Sequence, residues 1–198
     1  MSWFCSADLG IDLGSSEIRI YQRGKGLLLS EANTVLIVKN KAVAWGWEAQ
    51  NSDSAAGELF CPVQQGRIID SELTYKMLQI FFRQAGLKKI TSRDRLLILV
   101  PQELSGLQRL TLSKIFRQLG FNRIYLAASV MAVALANHLK SSLVIDLGQE
   151  RTDLAIVVPE GIVSGCSLAW GSRHLDQALL SYFQDTYNLN WDEKTVEC

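Results

Sequence analysis

Two histidines and four cysteines, none of them at CxxC spacing, leave this 198-residue chain without the ligands for a zinc centre. With only His138 and His174 available no zinc set can be assembled, and Cys5, Cys61, Cys166 and Cys198 read as reduced cytosolic thiols. Charge of one sign is also missing: twenty basic residues cancel twenty acidic ones, which removes any overall electrostatic case for a nucleic-acid partner. With a pI near 6.7, solubility around neutral pH is expected to be low. Residues Met1 to Gly10 lack a basic start and meet Asp8 before an apolar core forms, so they do not read as a secretory signal. The longest apolar run, Ile124 to Leu135, is too short to span a bilayer. No linker rich in proline or serine separates two independent domains, and the length sits between one domain and two. What remains, 48% apolar and 20% charged, is the composition of a globular protein with a sizeable core.

The feature that is present is a repeat. Ile11-Asp12-Leu13-Gly14-Ser15-Ser16 returns as Ile145-Asp146-Leu147-Gly148-Gln149-Glu150. Apolar residues lead into each Asp, and alternating residues follow each turn: Ile18, Ile20 and Tyr21 in the first copy, Leu154, Ile156 and Val158 in the second. Each copy therefore predicts a strand, a tight turn and a returning strand. A glycine after the Asp lets the backbone turn sharply and bring N–H groups near a ligand, and Ser15 or Thr152 adds a hydroxyl. One such turn alone is an ordinary strand exit. Two facing each other, each with a carboxylate at a strand end, can hold a di- or triphosphate and the waters of a Mg²⁺ ion.

Further strands are expected at Leu27–Leu29, 34–38 and 42–45, continuing the first hairpin as a meander, with a polar loop from Gly46 to Gly57. Phe60 to Ile69 is ambiguous, because Pro62 confines any strand there to an edge. A helix capped by Asp70 or Ser71 should run to about Ala85, with Leu73, Met77, Ile80 and Phe81 on one face. Then come a strand at 96–100, a helix at 104–119, a strand at 123–126, a helix at 128–139, the second hairpin, a strand at 161–168 and a last helix at about 172–187. This order predicts an α/β mixed sheet with flanking helices and ligands at the strand ends.

In element order and in residues the chain resembles the MreB-like bacterial actins, within the superfamily of actin, sugar kinases and heat-shock chaperones. Asp8 to Tyr21 looks like the family's first phosphate hairpin and Asp146 to Val157 like its second. Pro62-Val63-Gln64-Gln65-Gly66-Arg67-Ile68, Val100-Pro101, Met131-Ala132-Val133-Ala134 and Leu175-Asp176-Gln177-Ala178 resemble its connecting segments. The resemblance implies an actin-like (ribonuclease H-like) fold with an incomplete second lobe: a first domain at 1–140 carrying a small insertion at 32–62, and the start of a second at 141–198, since family members continue further. It implies a site for ATP and Mg at Asp12, Gly14, Ser15, Ser16, Asp146, Gly148, Arg151 and Thr152, with Asp12 and Asp146 holding Mg through water.

Departures from the family pattern point toward weak or absent nucleotide binding. Gln149, Glu150 and Arg151 stand where the family carries glycines, and Glu17 and Ile18 replace polar residues. A carboxylate about 4 Å from a phosphate oxygen costs on the order of 4 kcal/mol at an effective dielectric near 20, an effect Arg151 can offset. Ser129 occupies the family's water-positioning Glu position, and an unactivated hydroxyl is a poor general base, so no catalytic residue is assigned. The Lys expected near Gln64 is missing. The implied protein is a cell-shape or cytoskeletal pseudo-ATPase acting by assembly; the alternative is a residual Mg-ATP-dependent actin-like ATPase. Its expected partners are itself or a full-length MreB-like filament, with no nucleic acid, in the cytoplasm. Lys88, Lys89 and Arg93, with Trp3 and Phe4, set a peripheral contact with the inner membrane face beside a plain solvated loop. His174 is expected to cap or face solvent, and Trp45, Trp47, Trp170 and Trp191 to pack in the core and interfaces.

Overall fold

The computed structural model describes residues 8–53, 57–87, 90–91 and 93–191; Trp3, Phe4, Lys88 and Lys89 lie outside them. The first repeat forms β1 (Leu9–Leu13) and β2 (Glu17–Gln22), paired antiparallel with Asp12 opposite Arg19, and β3 (Gly26–Ala32) continues from β2. The meander stops there. β4 (Val35–Val38) leaves this sheet and pairs with β5 (Lys41–Trp45), followed by α1 (Trp47–Gln50) and β6 (Glu58–Phe60), giving a separate sheet of order β5-β4-β6. α1 corrects the expected loop at 46–57. Gly46 at φ 65° turns the chain, and the Glu31 carboxylate accepts from the Trp47 N–H at 2.9 Å, satisfying an orphan donor of this single turn.

The ambiguous stretch resolves into β7 (Val63–Gln64) and β8 (Arg67–Ile68), joined through Gln65 and Gly66, both at positive φ. α2 (Ser71–Gln84) begins as expected, with the Asp70 carboxylate accepting from the Leu73 N–H at 2.8 Å. β9 (Arg95–Val100) runs parallel to β1, and α3 (Gly106–Gln118) starts two residues late because Ser105 is its cap. β10 (Arg123–Ala128) runs on to the start of α4 (Ser129–Ala136), which is shorter than expected. The main sheet has the order β10-β9-β1-β2-β3. Its core joins Ile11, Ile18, Ile20 and Ile98 to Met77 and Phe81, with Phe82, Phe116 and Phe121 in edge and tilted contact at 5.5–6.4 Å.

The second repeat forms β11 (Ser142–Leu147) and β12 (Thr152–Val158), with β13 (Gly161–Leu168) beside them in an antiparallel sheet. α4 covers one face of it through Val130, Ala134, Val144, Ala155 and Val157. α5 (Ser172–Tyr187) buries no residue. His174 caps it, Nδ1 accepting from the Gly171 N–H at 3.1 Å. Of the four tryptophans expected to pack in the core and interfaces, Trp45 packs on the core, whereas Trp47, Trp170 and Trp191 are exposed, the last two against His174 and Phe183. No described helix is long and apolar enough to cross a membrane.

Candidate functional site

The two hairpins bring their turns to opposite walls of one cleft of about 610 Å³, a size suited to a nucleotide. Asp12, Gly14, Ser15, Ser16, Asp146, Gly148 and Arg151 all line it. Gly14 is required by the turn, since a Cβ there would stand 2.6 Å from the Glu17 carbonyl. Thr152 is the exception among the expected residues. It is buried, and its hydroxyl donates to the Trp170 carbonyl at 2.7 Å, away from the cleft.

Carboxylates dominate the lining: Asp12, Glu17, Asp146, Glu150, Asp153 and Asp176 against Arg19 and Arg151. Burial raises the Asp12 pKa, the Arg19 guanidinium opposes this, and Asp146 across the cleft adds to it. Burial raises Asp146 as well, with Asp153 as the second cause. Both carboxyls are thus poised to gain from a cation placed between them.

The two added acids are not free. Glu17 accepts from Arg19 at 2.7 Å and from the Ser30 hydroxyl at 2.8 Å. Glu150 spans the cleft: one oxygen accepts from the Gln65 backbone N–H at 3.0 Å, the other from Arg173 at 3.2 Å. Arg151 does not pair with Glu150. Its Nε donates to Asp153 at 3.0 Å, and its Nη2 is buried with no acceptor. Arg151 lies immediately before β12 and reaches Asp153 two residues on, while Glu150 reaches Gln65 and Arg173.

Ser129 lines the cleft at the first position of α4, where its hydroxyl donates to the Val100 carbonyl at 3.4 Å. Nothing there activates it. Gln64, at the missing Lys, donates to the Cys61 carbonyl. Several residues that hold the site were not singled out in the sequence. Asn33 is fully buried, its amide donating to the Ser15 and Val63 carbonyls and accepting from the Val63 N–H, so it fixes the first turn. Gly171 packs against the Gly148 and Gln149 carbonyls, where a Cβ would be 2.4 Å from the first. Asn33 sits between two strands and Gly171 before a helix, positions whose only sequence signal is a turn-forming residue type.

A Mg-nucleotide fits one side of this site. Asp12 and Asp146 offer desolvated carboxylates for a hydrated cation; no group of three or more metal-ligating side chains occurs among the described residues. On the phosphate side some of the backbone donors already have partners. The Gly148 N–H donates to the Arg151 carbonyl, the Ser172 and Arg173 N–H groups donate to Gly148 and Gln149, and the Gln65 N–H is taken by Glu150 and Ser15. These donors beside the cleft are engaged within the chain, and the Glu150 carboxylate stands among them.

A family profile described as MreB/Mbl protein matches residues 6–198. The cell shape-determining protein Mbl of Bacillus subtilis (strain 168) is 28% identical over 200 residues, covering 96% of this chain and 60% of the relative. The cell shape-determining protein MreB of Escherichia coli (strain K12) is 29% identical over 207 residues, with 97% and 60% covered. In three dimensions the chain is similar to MreB 5 of Spiroplasma citri bound to AMPPNP, at a TM-score of 0.87 and 23% identity over 95% of this chain and 60% of that one. The ADP-bound form of the Spiroplasma protein gives 0.85 and 24%. The chain spans about 60% of the length of the curated relatives it matches. With the actin-like fold seen in its sheets and helices and the family profile covering nearly its whole length, the chain belongs to the MreB/Mbl family of cell shape-determining proteins.

Proposed function

We propose that this chain is an actin-fold cell-shape protein that acts by assembly, with a degenerate ATP site and no hydrolysis. The observation that carries the reading is Glu150, a carboxylate bound on both oxygens where the phosphates of a nucleotide would enter. Ser129, without an activating base, supports the absence of turnover. The domain boundary lies near residue 140, between a well-packed first unit and a sparsely packed second, and residues 32–62 form the insertion around the small β5-β4-β6 sheet. Exposed apolar residues on β11, β13 and α5 favour self-association or addition to an MreB-like filament, in the cytoplasm and near the inner membrane face.

The second reading, a residual Mg-ATP-dependent ATPase, draws on Asp12 and Asp146, two carboxyls on the cleft wall whose pKa values burial raises, and on the nucleotides held by the Spiroplasma proteins. A phosphate-release assay separates the two. The proposal expects no turnover above buffer with Mg-ATP, and turnover abolished by Asp146→Ala would replace it with the second reading. Pelleting with and without ATP, alone and with a full-length MreB, is expected to give small oligomers or co-sedimentation insensitive to ATP; long ATP-dependent filaments of the isolated chain would contradict it.

A further inference from the structure

The contacts of Glu150 reach three separate parts of the chain. The Gln65 N–H comes from the β7–β8 turn of the first lobe, Arg173 from the second residue of α5, and Glu150 itself from the β11–β12 turn. Gln65 and Gly66, at φ 50° and 69°, form the two-residue turn of the β7–β8 hairpin, and the Gln65 N–H leaves that turn toward Glu150. Ser15 lies at the same point, its Oγ accepting from the same N–H at 3.0 Å. A backbone N–H and a guanidinium meeting on one carboxylate, with a hydroxyl beside them, are groups that also recognise a phosphate oxygen. Nearby, the Arg151 Nη2 is a second guanidinium donor, buried on the cleft wall without an acceptor.

We propose that Glu150 is an internal anion that fills a phosphate cradle made by the Gln65 N–H and Arg173 beside Ser15, latching the two lobes and keeping a phosphate group out. The inference rests on the reading of the cleft as a phosphate site, but not on adenosine recognition. A carboxylate with both oxygens engaged is the smaller competitor for donors that an incoming phosphate also needs, so the two cannot be held together without like-charge repulsion. Removing the carboxylate costs the latch and frees the cradle. The phosphate side of the nucleotide site is therefore filled by the chain itself.

The probe is inorganic pyrophosphate, read by thermal unfolding and by titration calorimetry on the whole chain. In the wild type, pyrophosphate should leave Tm unchanged. In Glu150→Ala, Tm should fall without ligand and rise by about 3 °C or more at saturating pyrophosphate, with affinity improved by at least about tenfold over wild type. Glu150→Gln, which keeps the shape but not the charge, should gain in the same direction and serves if the alanine variant does not fold. Adding Arg173→Ala to the responsive variant should abolish the gain. Equal responses in wild type and variants, or a gain that survives Arg173→Ala, would overturn the latch. Parallel titration with Mg-ATP separates the two readings. Pyrophosphate binding without ATP binding in Glu150→Ala keeps the latch and removes the nucleotide site, whereas tight Mg-ATP binding to wild type unaffected by Glu150→Ala removes the latch alone.

Discussion

The same four residues, Ile-Asp-Leu-Gly, end a strand twice in this chain and meet opposite surroundings. Ile11 is 1% exposed and Leu13 7%, while their counterparts Ile145 and Leu147 are 60% and 51% exposed. In the first copy that strand face sits in a cluster with Met77, Phe81 and Phe82, and β9 runs beside it. In the second, α4 covers only the opposite face, through Val144, Ala155 and Val157. Local sequence is therefore enough to make the hairpin, but what covers it decides how much stability it carries. Both copies direct an Asp into the cleft; only one is mounted on a complete core.

Hydrogen exchange should show the largest difference between the two hairpins. Amides of β1, β2 and β9 should exchange only through global unfolding, on the scale of 5–15 kcal/mol, while β11–β13 and α5 open several kcal/mol earlier. Uniform protection from Leu143 to Tyr187 would mean that this segment has found other packing, as within an oligomer. Next in size, Ile11→Ala should destabilise by about 2–5 kcal/mol and Ile145→Ala by under about 1 kcal/mol in denaturant titrations. Equal losses would show that the second face is covered in solution.

The turns give a smaller contrast. A Cβ at Gly14 meets the Glu17 carbonyl at 2.6 Å, whereas one at Gly148 stands 3.0 Å from the Arg151 carbonyl. Gly14→Ala should cost about 1–3 kcal/mol and Gly148→Ala less than about 1 kcal/mol, measured by thermal unfolding. The smallest effect concerns the two aspartates. Each has a pKa raised above the ordinary 3.8, so each binds its proton more tightly folded than unfolded. Their contribution to stability is present below the unfolded value and is lost as pH rises through the folded one. Asp12→Asn and Asp146→Asn should therefore stabilise the chain near neutral pH, by under about 1 kcal/mol for these partly exposed groups, with the gain vanishing in acid. Destabilisation by either change would show that the carboxylate is already compensated.

Much of the fold was legible because its signals are local. Alternation and the glycine turns place both hairpins, and Asp70 and the spacing of Met77 and Phe81 place α2. What was not legible depends on distant partners. α1 exists because Glu31, sixteen residues earlier, accepts its first N–H, and polar composition alone reads as loop. β4 leaves the meander to pair with β6, beyond the reach of any local pattern. At the site, seven of the eight expected residues gather, but Thr152 turns its hydroxyl to Trp170, and Glu150 is met by Arg173 from α5 instead of its neighbour Arg151. Residue type and spacing find the turns; ion-pair partners are chosen by the assembled lobes.

We propose that the chain's own groups, Glu150 above all, keep a nucleotide's phosphates out of this cleft. Isothermal titration of the wild-type chain with Mg-ATP tests it most directly. The account predicts a dissociation constant weaker than about 100 μM, or no measurable heat. A low-micromolar constant would contradict it.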